Sequence, residues 1–461
     1  MPSLSGLLDT ARSALLAHQM ALNVTGHNVA NVSTEGYTRQ RLELGARTGS
    51  EQRLGGIGAG VEPLALHRLR TESFDRSFRR ENSGLGESEQ RSRLLQGVEA
   101  VVGEPGSPGV GQSLDKFWNA WADLGNEPAE ESYRRAVLEA GGELAGRLNQ
   151  LEGQLQAQRL DANLEVERIG REVNDKAGRV AELNRAIQAS ELGGRVASDL
   201  RDARDLLVDR LSGLVDLRAA EDEQGVYRLW VGGRALVDGA QATALDVARE
   251  SGAGGAVLVR LCWRDTGAAI TSSTGELGGV LDARDRVLPA RLAELDQLAD
   301  TLVAQVNSLH KAGTDLEGRP GHDFFDAGTS GAAGLALSRW VRDDPTRVAA
   351  SADGGVGNGE QATAIAQLAD RGLAALSGRT LGEAWGSLVS QSGAEAARAE
   401  SERATQQAFV AELDNRRQSV SGVNLDEELT LMMEQEQAYA AAARVITTAD
   451  NLIQEVLNLV G

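Results

Sequence analysis

Residues 421–461 read SGVNLDEELTLMMEQEQAYAAAARVITTADNLIQEVLNLVG. Stepping along them alternately by four and three residues lands on Leu425, Leu429, Met432, Glu436, Tyr439, Ala443, Ile446, Asp450, Ile453, Leu457 and Val460, a column that is apolar except at Glu436 and Asp450. That period, sustained to the chain end, specifies one long helix with a narrow heptad seam. At about 1.5 Å per residue, a helix from Leu425 onward is roughly 54 Å long. Its start is marked as well: Asn424 can cap it, and Glu427 sits at the capping-box position. Asp426, Glu427 and Glu428 put negative charge on the positive end of the helix dipole. These carboxylates read as a helix start, not as a catalytic cluster.

The other end of the chain carries the same period. Leu4, Leu8, Ala11, Leu15, His18, Leu22, Thr25 and Val29 form a matching stripe, with His18 as a packed or interfacial histidine rather than a ligand. Narrow seams of this kind leave isolated helices marginal, so both ends are expected to be loosely ordered in a dilute monomer and to firm up against partners. Further seams run between them, from Leu144 through Leu155 and Val166 to Ile187, interrupted by Gln158 and Asn184, and from Leu281 to Leu309 with Pro289 at a start or kink. Residues 361–376 and 380–418 also read as helical.

The character changes at about residues 217–280. Val226 to Val231 alternate, Gly232 and Gly233 make a hairpin turn into Ala235, Leu236 and Val237, and Val257 to Trp263 is another strand beyond the glycine-rich turn at Gly252–Gly255. The fold class is therefore mainly α, with long coiled-coil-like helices formed by both chain ends, a small inserted β domain, and several domains. The divisions are 1–60 and 421–461 for the two parts of an inner coiled-coil domain, 61–216 and 281–420 for the two halves of a helical domain, and 217–280 for the β insert. The helical parts must pair across the insert, which brings both termini to one end of the molecule.

Composition narrows the function. Of 461 residues, 47 are Lys or Arg and 67 Asp or Glu, a formal net charge of −20, which argues against a nucleic-acid partner. The single Cys262 excludes an intrachain disulfide and a CxxC metal or redox site, and reads as buried in a strand. The five histidines never fall into HExxH spacing, and no phosphate loop or GxSxG elbow is present. Gly55, Gly56, Gly58 and Gly60 read as a turn between short strands. Glu127 with Glu130, or Asp323 with Asp326, lack the setting of an acid and base pair, so neither catalytic residues, metal nor cofactor are expected. No apolar run is long enough to span a membrane, and Asp9 and Arg12 interrupt any signal-peptide core.

Asn23 to Asn31 followed by Ser33, Thr34, Glu35, Gly36, Tyr37, Thr38 and Arg39 resemble the ANxxTxGYxR signature of bacterial flagellar axial proteins. Physically this is a seam helix ending at Asn31, a tight turn at Gly36 and Tyr37 anchoring the exit strand. Ser421 to Glu428 with Gln437 to Asp450, Gly275 to Pro289 running on to Gly313, and Asn174 through Asp199, Asp202 and Arg204 to Val237 resemble the FlgK family, hook-associated protein 1, nearly end to end. Gln435 departs from the pattern, standing where that family carries an aromatic.

The resemblance implies a structural subunit at the junction of hook and filament, whose terminal helices build a tube with helical symmetry. It implies an extracellular location in the flagellum, reached without a cleaved signal peptide by type III export. The implied partners are other copies of itself, hook protein, the second hook-filament junction protein and an export chaperone. The expected assembly residues are Leu4, Leu8, Ala11, Leu15, Leu22, Val29, Asn31, Gly36 and Tyr37, with Leu425, Leu429, Met432, Tyr439, Ala443, Ile446, Ile453, Leu457 and Val460. Another axial protein is the near alternative. A flagellum-associated cell-wall hydrolase is the distant one, and a clearing band in a cell-wall zymogram would favour it.

Overall fold

The computed structural model describes residues 4–48, 58–103, 109–192, 196–222, 225–251, 257–328 and 330–460, with backbone alone at 459 and 460. Gly55, Gly56 and the turn at Gly252–Gly255 lie outside the described residues. The chain opens with α1 (Leu4–Ala30) and an antiparallel hairpin of β1 (Gln40–Ala46) and β2 (Val61–Arg68). It continues through α2 (Glu72–Val102), α3 (Val110–Asn126), α4 (Glu131–Glu191) and α5 (Ser198–Leu214). Then comes the β region: a meander of β3 (Leu217–Glu221), β4 (Tyr227–Val231), β5 (Arg234–Asp238) and β6 (Gln241–Ala242), and a hairpin of β7 (Leu245–Ser251) and β8 (Val257–Trp263). Beyond it, α6 (Gly275–Asp282) passes through a π-helical turn, Ala283–Val287, into α7 (Leu288–Ala312). After α8 (Arg339–Arg342) and α9 (Glu360–Ala366), the chain returns along α10 (Leu381–Ser421) and ends in α11 (Leu425–Val460).

The helices flanking the β region do pair across it: α10 lies along α2, and α7 packs on α4. Where the sequence reads as helical over 361–376, only α9 is an α-helix, followed by 3-10 turns at Gln367–Asp370 and Ala374–Leu376. The chain doubles back there, Leu373 donating to the Arg379 carbonyl and Gly378 to the Leu373 carbonyl, which a continuous helix would forbid.

The α4 seam is buried throughout and serves two cores. Leu144, Leu148, Leu151 and Leu155 join α3, α7 and the 324–388 segment around Phe117, Trp121, Phe324 and Phe325. Val166, Ile169, Val173 and Val180 join α5, α6 and both β-sheets. Asn184, which looks like a break in the apolar pattern, is fully buried, because its amide donates to the Tyr227 and Gly239 carbonyls and accepts from Arg204 and the Tyr227 N–H. Asn163 and Asn174 clamp the β7–β8 hairpin in the same way, at Val257 and Val259 and at Leu245. These asparagines share a helix, and each exchanges a donor and an acceptor with extended backbone. The sheets are thereby fixed to α4 by hydrogen bonds as well as by burial.

Candidate assembly interface

The two chain ends form an antiparallel helix pair, α1 against α11, with His18 beside Gln435 and Asn28 beside Glu428. On α11 the contact uses Met432, Ile446 and Ile453 of the expected column, whose Tyr439 stays exposed. Its companion is Glu428, Gln435, Ala442 and Ala449, one residue before the column that contains Leu429, Glu436, Ala443, Asp450 and Leu457. The companion column is legible only as a seven-residue recurrence, since two of its members are alanines and two are polar. Alanine lets the helix axes approach, while Glu436 and Asp450, which would be buried unpaired on the other face, stay exposed.

The polar members of the seam are satisfied from α1 and its exit. His18 Nδ1–H donates to Gln435 Oε1 at 2.7 Å. Asn28 Nδ2 donates to Glu428 Oε2 and to the Gln40 carbonyl, both at 2.9 Å, and its Oδ1 accepts from the Gln40 N–H and the Tyr37 hydroxyl. Arg39 closes the group, its Nε 2.6 Å from Glu428 and its Nη1 2.7 Å from Glu427, so Glu427 serves an ion pair at the helix start. Asn424 caps as expected, accepting from the Asp426 N–H. Gly36 turns the chain at φ +79°, a left-handed conformation that favours glycine, and Tyr37 then points back at α1. Burial and the carboxylates Asp199, Asp202 and Glu428 push the Tyr37 phenol well above its ordinary range, so it stays a donor.

Both segments that connect this helix pair to the body are gripped by one helix. The α5 residues Asp202, Asp205 and Asp209 follow i, i+3, i+7 spacing and line one face. Asp202 accepts from the Thr38 N–H at 2.9 Å and lies 2.6 Å from Arg68; Asp205 pairs with Arg68 and Arg70, and Asp209 with Arg79 and with Arg417 at the end of α10. Asp75 joins the group through Arg70. Burial alone would raise the Asp205 carboxyl, but Arg70, Arg68 and Arg79 bring it down to about 2; for Asp202 burial prevails over Arg68 and the shift is upward. In the sequence these aspartates alternate with arginines like any exposed helix face; nothing local marks them as buried.

Of the expected assembly residues, Ala11 is buried, and Leu4, Leu8, Leu15, Leu22, Val29, Asn31, Tyr37, Met432, Ala443, Ile446 and Ile453 are half-buried. Gly36, Leu425, Leu429, Tyr439 and Leu457 are exposed, and the Val460 side chain lies outside the described residues. Around them stand further exposed apolar side chains: Leu7, Leu16 and Met20 on α1, and Met433, Val445, Leu452 and Val456 on α11. The described residues hold no cluster of potential metal ligands and no helix long and apolar enough to cross a membrane.

A family model of the flagellar hook-associated protein FlgK helical domain matches residues 95–325, half of the chain. The chain belongs to the FlgK family. The two ends match families shared more widely among flagellar proteins: the basal body rod protein family over residues 8–38 and the basal body rod FlgEFG C-terminal family over residues 416–459. Flagellar hook-associated protein 1 of Bacillus subtilis is 29% identical over 98% of both chains, and that of Escherichia coli 24% identical over 99% of this chain and all of its own. The hook junction protein FlgK of Burkholderia pseudomallei shares the fold, with a TM-score of 0.66 at 15% identity over 75% of this chain. The rod-family matches cover the helix pair just described, whereas the FlgK match covers the body, so the generic part of the sequence is the part that forms the terminal seam.

Proposed function

We propose that this chain is the structural subunit that joins hook to filament in the bacterial flagellum, assembling with copies of itself through α1 and α11. The observation that carries the reading is the set of apolar side chains that the α1–α11 pair leaves uncovered: Leu425, Leu429 and Met433 near the base, Val445, Leu452 and Val456 further out. A two-helix seam cannot bury them, and a ring of copies can. Neighbours along the axis would be hook protein on one side and the second junction protein on the other. An export chaperone would cover the ends before secretion through the type III channel, without a cleaved signal.

Deleting residues 425–461 tests the reading directly. The truncated protein is expected to leave the body folded and to abolish attachment of filament to hook; filaments of normal number on cells carrying only the truncated chain would refute it. In the isolated monomer, amides of α1 and α11 are expected to exchange faster than those of α4, because their seam is one helix wide. In sheared flagella they should slow by about tenfold or more as neighbours cover them. Equal protection of all three helices in the monomer would remove the physical reason for assembly-coupled ordering.

A further inference from the structure

The α11 helix carries two possible seams that share the column Met432, Tyr439, Ile446 and Ile453. The second column is either Leu429, Glu436, Ala443, Asp450 and Leu457, or Glu428, Gln435, Ala442 and Ala449. The first offers two leucines, the second none, yet α1 takes the second. Two kinds of polar residue account for the choice. Glu428 and Gln435 have partners waiting on α1 and its exit, in Asn28, Arg39 and His18. Glu436 and Asp450 have none there among the described residues, and burying them would strand two carboxylates in an apolar contact. Polar side chains in a heptad seam fix register at the expense of stability, and excluded charges reject a competing geometry.

We infer that these two pairs form a selector: Gln435 with His18 draws α1 onto one face of α11, Glu436 and Asp450 bar it from the other, and the leucine-bearing face is thereby kept open for a second copy. The last clause rests on the assembly reading above; the choice of face does not.

Thiol labelling of the full-length monomer separates the two. Leu457→Cys, at a position 65% exposed, should react fast, and Ala449→Cys, at 1% exposed, slowly, with the buried native Cys262 as an internal slow reference. Adding His18→Ala, Gln435→Ala, Glu436→Leu and Asp450→Leu should invert this order, each rate moving by about tenfold, while Cys262 stays slow and helicity is retained. Glu428 keeps its partners Asn28 and Arg39, so only the first turn of α11 stays anchored, and the change of face is read at Ala449 and Leu457, about six and eight turns further on. In cells the fourfold variant should be exported yet fail to support filaments. An unchanged labelling order would overturn the selector, and so would an inverted order with normal filament attachment. Failure of the assembly reading would appear separately, as filaments that persist when residues 425–461 are deleted from the otherwise unaltered chain.

Discussion

Asp205→Asn is expected to destabilise the protein by about 3 to 5 kcal/mol, the cost of removing one partner from a buried ion group. Asp205 is 3% exposed and faces Arg68, Arg70 and Arg79, so the substitution leaves guanidinium groups close together with one carboxylate fewer to separate them. The effect should reach both connectors. Arg68 ends β2 and Arg70 follows it on the outgoing chain, and Arg417 on the returning chain depends on the neighbouring Asp209. A urea midpoint lowered in proportion, with new proteolytic cleavage near residues 31–39 or 417–424, is the predicted signature. An unfolding free energy within about 1 kcal/mol of the unaltered protein's would mean that the ion group holds nothing together.

The second large effect is acid destabilisation centred on His310. Its Nδ1–H donates to the His322 carbonyl at 2.5 Å, and its Nε2 accepts from the Ala349 N–H at 2.8 Å, so the ring is neutral and both nitrogens are committed. Full burial lowers its pKa from 6.5 to about 4, the His322 hydrogen bond and Asp323 opposing that shift. The unfolded chain therefore takes up a proton that the folded chain refuses. Stability from this group is complete above about pH 6.5 and is lost as pH falls toward 4, by at most about 3 kcal/mol. Asp205 adds a separate loss only lower, between its unfolded value of 3.8 and about 2. Thermal unfolding measured from pH 7.5 to 4.5 should show the first loss, and His310→Gln, unable to titrate, should flatten it at a lower overall stability. A curve with the same slope in both proteins would remove His310 as the cause.

The elements were legible where one period dominates. The α11 boundaries, the α4 seam and the Gly232–Gly233 hairpin follow from spacing alone, because each buries one face against a neighbour and needs no distant partner to be recognised. What could not be read were the choices that depend on residues far away in sequence. Glu428 looks like one more carboxylate at a helix start, and Gln435 like a departure from the family pattern, until Asn28 and His18 are placed opposite them. Asn184 looks like a flaw in a seam until the Tyr227 backbone is found against it. The α5 aspartates look solvated because their arginines come from β2, α2 and α10, over a hundred residues away in either direction. Periodicity reports which face is apolar, and it is silent on polar groups satisfied by another part of the chain.

The unbroken course of α4 has a mechanical consequence. Its 61 residues extend about 92 Å at 1.5 Å per residue, and both apolar cores are built on that one rod. A rod shared in this way leaves no soft section between the β region and the far end of the body, so a twist applied at one extremity turns the other.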